Sequence, residues 1–200
     1  MFLSNRSLFV AALSMAALSA QAVDAFSNLD PAPDSYNGLV AYDVSPNNRQ
    51  GFQFTAVAGG MLTGFQVAMN NLSSPARQFN FSLYEDSGSD TLGTFLFSWN
   101  QLSTGVDYNT TRSALVSIDA SGSGINIVNG AKYWVVANAE LMTFWNTANS
   151  GTAMHLMGDT YIPNSDQGAY SVQVEAVPEP ASMVALGLGA VALLRRRRAA

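Results

Sequence analysis

The chain has 200 residues, 48% hydrophobic and 10% aromatic, with no cysteine and a net charge of −5, which suits one globular domain with appendages and excludes thiol catalysis and thiolate metal sites. Its charge is unevenly spread: residues 23–176 hold thirteen acids against Arg49, Arg77, Arg112 and Lys132, a net −9. A body this acidic argues against nucleic acid or anionic lipid as its partner.

Residues 1–22 read as a secretory signal peptide. Arg6 supplies a positive start, residues 8–18 an apolar run, and Ala20-Gln21-Ala22 a small-residue cleavage site at Ala20 and Ala22. The general secretion machinery is therefore an expected partner, and the mature chain is expected to begin near Val23. An exported fold without cysteine does without disulfides, which a body of this size can do on its hydrophobic core alone.

Asp30-Pro31-Ala32-Pro33-Asp34 predicts an extended lead-in, because residues before proline avoid the helical region. From Gln50 onward the hydrophobic period is two. Residues 51–55 alternate through Phe52 and Phe54, 78–83 through Phe79, Phe81 and Leu83, and 170–175 through Tyr170, Val172 and Val174. Further strands are predicted at 62–69, 94–99, 114–119, 132–139, 141–145 and 153–157, separated by Gly, Asn, Asp and Ser clusters. No stretch of the body keeps a helical period. The expected fold is all-β, an antiparallel sandwich of jelly-roll-like kind.

Three constellations along the body invite chemistry. Asp86-Ser87-Gly88-Ser89-Asp90 places the carboxylates of Asp86 and Asp90 on one turn, where a Ca²⁺ ion would find oxygen ligands; the same residue types also simply make turns. Trp145, followed by Asn146 and Asn149, pairs an indole with amides in a polar stretch, a candidate glycan contact; large aromatics equally fill the space between sheets. His155 is the only histidine, and with no G-x-S-x-G elbow in the chain it gives no hydrolytic triad by sequence. Nothing marks a pair of catalytic carboxylates. The expectation is a protein that is not an enzyme and has no cofactor beyond the Ca²⁺ alternative.

The chain closes on a three-part tail, residues 177–200. Val177-Pro178-Glu179-Pro180 resists helix formation. Residues 181–194 are uncharged and rich in Ala, Leu, Val and Gly, and as a helix they would reach about 21 Å, short of the roughly 30 Å hydrocarbon core of a bilayer. Arg195, Arg196, Arg197 and Arg198 follow, and such clusters stay cytoplasmic. A short transmembrane helix of this kind implies transient retention in the inner membrane, with residues 23–176 on the far side.

The Pro-Glu-Pro, the short apolar run and the arginine cluster together resemble the PEP-CTERM sorting signal of Gram-negative bacteria. That resemblance implies an exosortase as processing partner, acting near Pro178-Glu179-Pro180, and an association with exopolysaccharide and biofilm. Phe81-Ser82-Leu83-Tyr84-Glu85-Asp86, Leu92-Gly93-Thr94 and Asn129-Gly130-Ala131-Lys132-Tyr133-Trp134-Val135-Val136, with Trp145 following, also resemble the choice-of-anchor-like sandwich domains found upstream of such signals. The reading is an exported, non-catalytic protein of the cell surface or extracellular matrix. A carbohydrate-binding adhesin using exposed aromatics and a secreted hydrolase are its alternatives.

Overall fold

The fold is that of a computed structural model, which describes residues 21–29, 36–71, 75–104 and 115–175. The strands are β1 (Ala22–Ser27), β2 (Ala41–Val44), β3 (Gln50–Thr55), β4 (Gly60–Val67), β5 (Met69–Asn70), β6 (Gln78–Asp86), β7 (Leu92–Leu102), β8 (Val116–Asp119), β9 (Asn126–Ile127), β10 (Lys132–Ala139), β11 (Thr143–Met157), β12 (Thr160–Gly168) and β13 (Tyr170–Glu175). All of them pair antiparallel. They build a five-stranded sheet in the order β1-β13-β4-β8, with β9 on β4. The second, eight-stranded sheet runs β12-β11-β3-β10-β6-β7, with β2 and β5 on β11.

The alternation that marks the strands is what brings the sheets together. One face of each strand is apolar and must leave water. Phe65 of β4 meets Phe81 of β6 and Trp99 of β7 with ring centroids 5.2 and 5.1 Å apart, and Tyr170 of β13 meets Trp145 of β11 at 5.8 Å. The core thus lies between the two sheets, and the chain crosses from one to the other repeatedly, as in a jelly-roll-like sandwich.

Several elements differ from the sequence reading. The predicted strand at 62–69 is split: β4 belongs to the five-stranded sheet, and after Ala68 the chain switches to the eight-stranded sheet through β5. The strands expected at 141–145 and 153–157 are the two ends of one long strand, β11, which begins at Thr143. Its first half pairs with β2 and β5, its second with β12 and β3. Strands β1, β2 and β12 carry no period-two signal and were not expected. Among the described residues no helix is long and apolar enough to cross a membrane; the apolar segment 181–194 lies outside them.

The eight-stranded sheet is curled, with register shifts along β11–β12 and β6–β7 that bend a strand locally. Its outer face therefore encloses a second apolar cluster, in which Trp134, Val136 and Leu156 are buried under Tyr84, Leu92, Met154 and Tyr161.

Candidate functional site

Trp145 sits where the two sheets meet and has no exposed surface. Its ring lies edge-on to Phe52 at 4.9 Å, and its Nε1 donates to the carbonyl of Ala169 at 3.2 Å. A glycine is required alongside: a Cβ on Gly168 would stand 2.6 Å from Trp145 Cε2 and 2.5 Å from Phe52 Cε2. Asn146 is equally buried, donating to the carbonyls of Asn37 at 3.1 Å and Val40 at 3.3 Å and contacting Asn70. Only Asn149 of the three is exposed. The expected glycan contact is thus corrected at Trp145 and Asn146: the polar stretch that suggested a loop is the middle of β11, and no sugar ring can reach an indole enclosed in the core. Trp134 is fully buried too, and Trp99 is 9% exposed.

Asp86 and Asp90 end up together at the β6–β7 hairpin, as their spacing suggested. Asp86 accepts hydrogen bonds from Gly88 N–H at 2.7 Å, Gln53 Nε2 at 2.7 Å and Trp134 Nε1 at 2.9 Å. Asp90 accepts from Gln53 Nε2 at 2.9 Å and from Lys132 Nζ at 2.5 Å. Burial pushes the Asp86 carboxyl upward, but the donors from Trp134, Gly88 and Gln53 outweigh it and hold it below its ordinary value. The Lys132 hydrogen bond, with that of Gln53, does the same for Asp90. These carboxylates do not suit a Ca²⁺ ion: both oxygens of Asp86 and Oδ1 of Asp90 already face N–H donors, one of them the Lys132 ammonium. Among the described residues no group of three or more His, Asp or Glu could hold a metal. The turn instead ties the hairpin to β3 and β10, and Gln53, which nothing in the sequence pattern singled out, is its central donor.

His155 is 1% exposed and stacks on Phe52 at 4.6 Å. Gln50 Nε2 donates to the carbonyl of Asp43 at 2.9 Å, which turns Gln50 Oε1 toward the imidazole Nε2 at 2.6 Å. The ring proton is therefore assigned to Nε2, and Nδ1 accepts from Ser165 Oγ at 3.1 Å. Burial lowers the pKa of His155 to about 4. At neutral pH the ring is uncharged and already hydrogen-bonded at both nitrogens, and a group this acidic is a feeble base for Ser165.

The ends of the body meet. Ala22 and Glu175 are register partners on β1 and β13. Ala22 is thus the first residue of a strand as well as the end of the expected cleavage site, while Ala20, Val177, Pro178, Glu179, Pro180, Arg195, Arg196, Arg197 and Arg198 lie outside the described residues.

Fold and surface together define an all-β, antiparallel sandwich whose first and last strands lie side by side. What addresses it is the tail: residues 176–198 match the PEP-CTERM protein-sorting motif. The motif marks an exosortase-targeted, exported protein of the cell envelope or surface. No curated protein matches the chain.

Proposed function

We propose that the protein is a non-catalytic component of the bacterial cell surface or extracellular matrix. The general secretory route exports it, the inner membrane holds it briefly, and an exosortase cuts it near Pro178-Glu179-Pro180 before it joins an exopolysaccharide or biofilm matrix. The observation that carries this reading is the sorting motif at residues 176–198.

The strand register supports it. Because β1 starts at Ala22 and β13 stops at Glu175, cleavage near Val23 and near Pro178 leaves every strand pair but Ala22–Glu175 intact. Pro178 and Pro180 could not continue the β13 ladder in any case, since proline lacks the N–H that a central strand needs. Support for the non-catalytic reading comes from His155, whose depressed pKa and occupied nitrogens suit a structural part.

The test is the intact mass of the protein recovered from outside the cell, with and without an active exosortase in the host. The expected species has lost residues 181–200. An extracellular species that still ends in Arg195 to Ala200, or a folded body found in the cytosol, would overturn the reading.

A further inference from the structure

Register brings three asparagines into one row on the outer face of the eight-stranded sheet. Asn138 of β10 lies opposite Asn80 of β6, and Asn80 lies opposite Asn100 of β7. Neighbouring strands are about 4.8 Å apart, so the row is about 10 Å long. Asparagine is depleted in strands, and one step along the same face β10 carries the buried Val136 instead. The row floors a recess of about 360 Å³, rimmed by Pro46, Gln78 and Glu140.

Its polar atoms are oriented. Ser82 Oγ donates to Asn80 Oδ1 at 2.7 Å, Asn80 Nδ2 donates to Asn100 Oδ1 at 3.1 Å, and Ala139 N–H donates to Asn138 Oδ1 at 2.9 Å. These bonds use oxygens inside the row, and so present the Nδ2 groups of Asn100 and Asn138 outward, both residues being exposed. Gln78 and Glu140 add acceptors at the rim. A site of outward amide donors and flanking acceptors matches a ligand whose hydroxyls both donate and accept. Glu140 and the net −9 of residues 23–176 repel a polyanion.

The recess does not end abruptly. Along β6 and β7 the same face continues through Ser82 and Ser98, which are register partners, to Tyr84 and Phe95, whose rings are 5.3 Å apart. Phe95 is 53% exposed. From Asn80 to Tyr84 is about 13 Å of strand; Ser82 is buried and Ser98 half-buried between the exposed Asn100 and Phe95, a long shallow strip better matched to a polymer than to a single small molecule.

We propose that this strip binds a neutral polysaccharide, with hydroxyls held by Asn100, Asn138, Gln78 and Glu140 and a sugar ring resting on Phe95. The proposal is independent of the sorting tail: an uncut protein would bind equally, so failure here leaves the export reading standing, and the reverse also holds.

The experiment is affinity electrophoresis of the exported protein, purified from its host, in gels containing laminarin, dextran, galactomannan or alginate. At least one of the three neutral polymers is expected to retard it, and alginate is not. Asn100→Ala and Asn138→Ala should each weaken retardation about tenfold, the worth of one hydrogen bond without charge. Phe95→Ala should weaken it by a similar factor, about tenfold for one lost stacking contact. Asn100→Asp and Asn138→Asp keep the side-chain shape and should lose binding as well, and unchanged melting temperatures would show each variant folded. No retardation by any neutral polymer, equal retardation of all variants, or a preference for alginate would overturn the proposal.

Discussion

The two sheets of the sandwich bury their inner faces alike and treat their outer faces differently. On the five-stranded sheet the outward residues of β4, β8 and β13 that reach water are Gln66, Ser117, Asp119 and Gln173, a plain polar surface of the kind antiparallel sheets turn to water, with Ser171 buried among them. That sheet closes the fold, since it contains both β1 and β13. The eight-stranded sheet curls, covers Trp134, Val136 and Leu156 on its outside, and beside that cluster leaves an amide-floored recess open. A solvent face that carries its own apolar cluster and a row of strand-averse asparagines asks for a purpose beyond closure. The difference locates closure in one sheet and recognition in the other.

The largest effect should come from the side chain that couples them. Trp145→Ala removes an indole that touches Phe52 and Phe81 of one sheet and Tyr170 of the other. Loss of a fully buried tryptophan costs about 4 kcal/mol, so the urea midpoint should fall sharply, while glycan binding by the remaining folded fraction stays unchanged. Retained stability, with binding lost, would return Trp145 to the role its sequence neighbourhood first suggested.

Next in size is a pH effect confined to the eight-stranded sheet. His155 of β11 titrates at about 4 in the fold against 6.5 when unperturbed. The unfolded chain then binds more protons between those values, so stability is full above pH 6.5 and falls as pH drops toward 4. The linkage amounts to about 3 kcal/mol. Asp86, Asp90 and Asp119 are lowered from 3.8, and their losses begin only below that window. Denaturation curves from pH 7 to 4.5 should show the decline in the natural protein and a nearly flat response in His155→Phe.

How much of this was legible depended on whether one face of a strand is wet. Strands β3, β6 and β13 announce themselves through Phe52 and Phe54, through Phe79, Phe81 and Leu83, and through Tyr170, Val172 and Val174, because each alternates between core and surface. β12 does not, because it is an edge strand bearing Pro163 and mostly polar residues, held mainly by its pairing with β11. The break expected at 146–152 was turn chemistry without a turn. Asn146 there is satisfied internally by Asn37 and Val40, so the strand runs on. The sorting motif at residues 176–198 was readable because it is contiguous. The recess was not, since Asn80, Asn100 and Asn138 become neighbours only through strand register.

A smaller effect is expected on the five-stranded sheet. The Tyr170 hydroxyl is buried with no hydrogen-bond partner among the described residues, and burial raises its pKa well above 10. Tyr170→Phe removes the stranded polar atom and keeps the ring against Phe26 and Trp145. Stability should rise by about 1 kcal/mol, seen as a melting temperature higher by about 2–4 °C. A fall instead would mean that the hydroxyl has a partner, such as a buried water.

The smallest stability changes give the sharpest comparison. Gln66→Ala and Gln173→Ala on one outer face, and Asn100→Ala and Asn138→Ala on the other, all shorten side chains that are not in the core. Each should therefore alter stability by less than about 0.5 kcal/mol. The pairs should part only when polysaccharide is present, the asparagine variants losing retardation and the glutamine variants keeping it. If the asparagines instead cost as much as a buried residue, their row is a structural ladder across β10, β6 and β7. If the glutamine variants lose binding too, the glycan lies across the other sheet, and the division of labour between the faces is reversed.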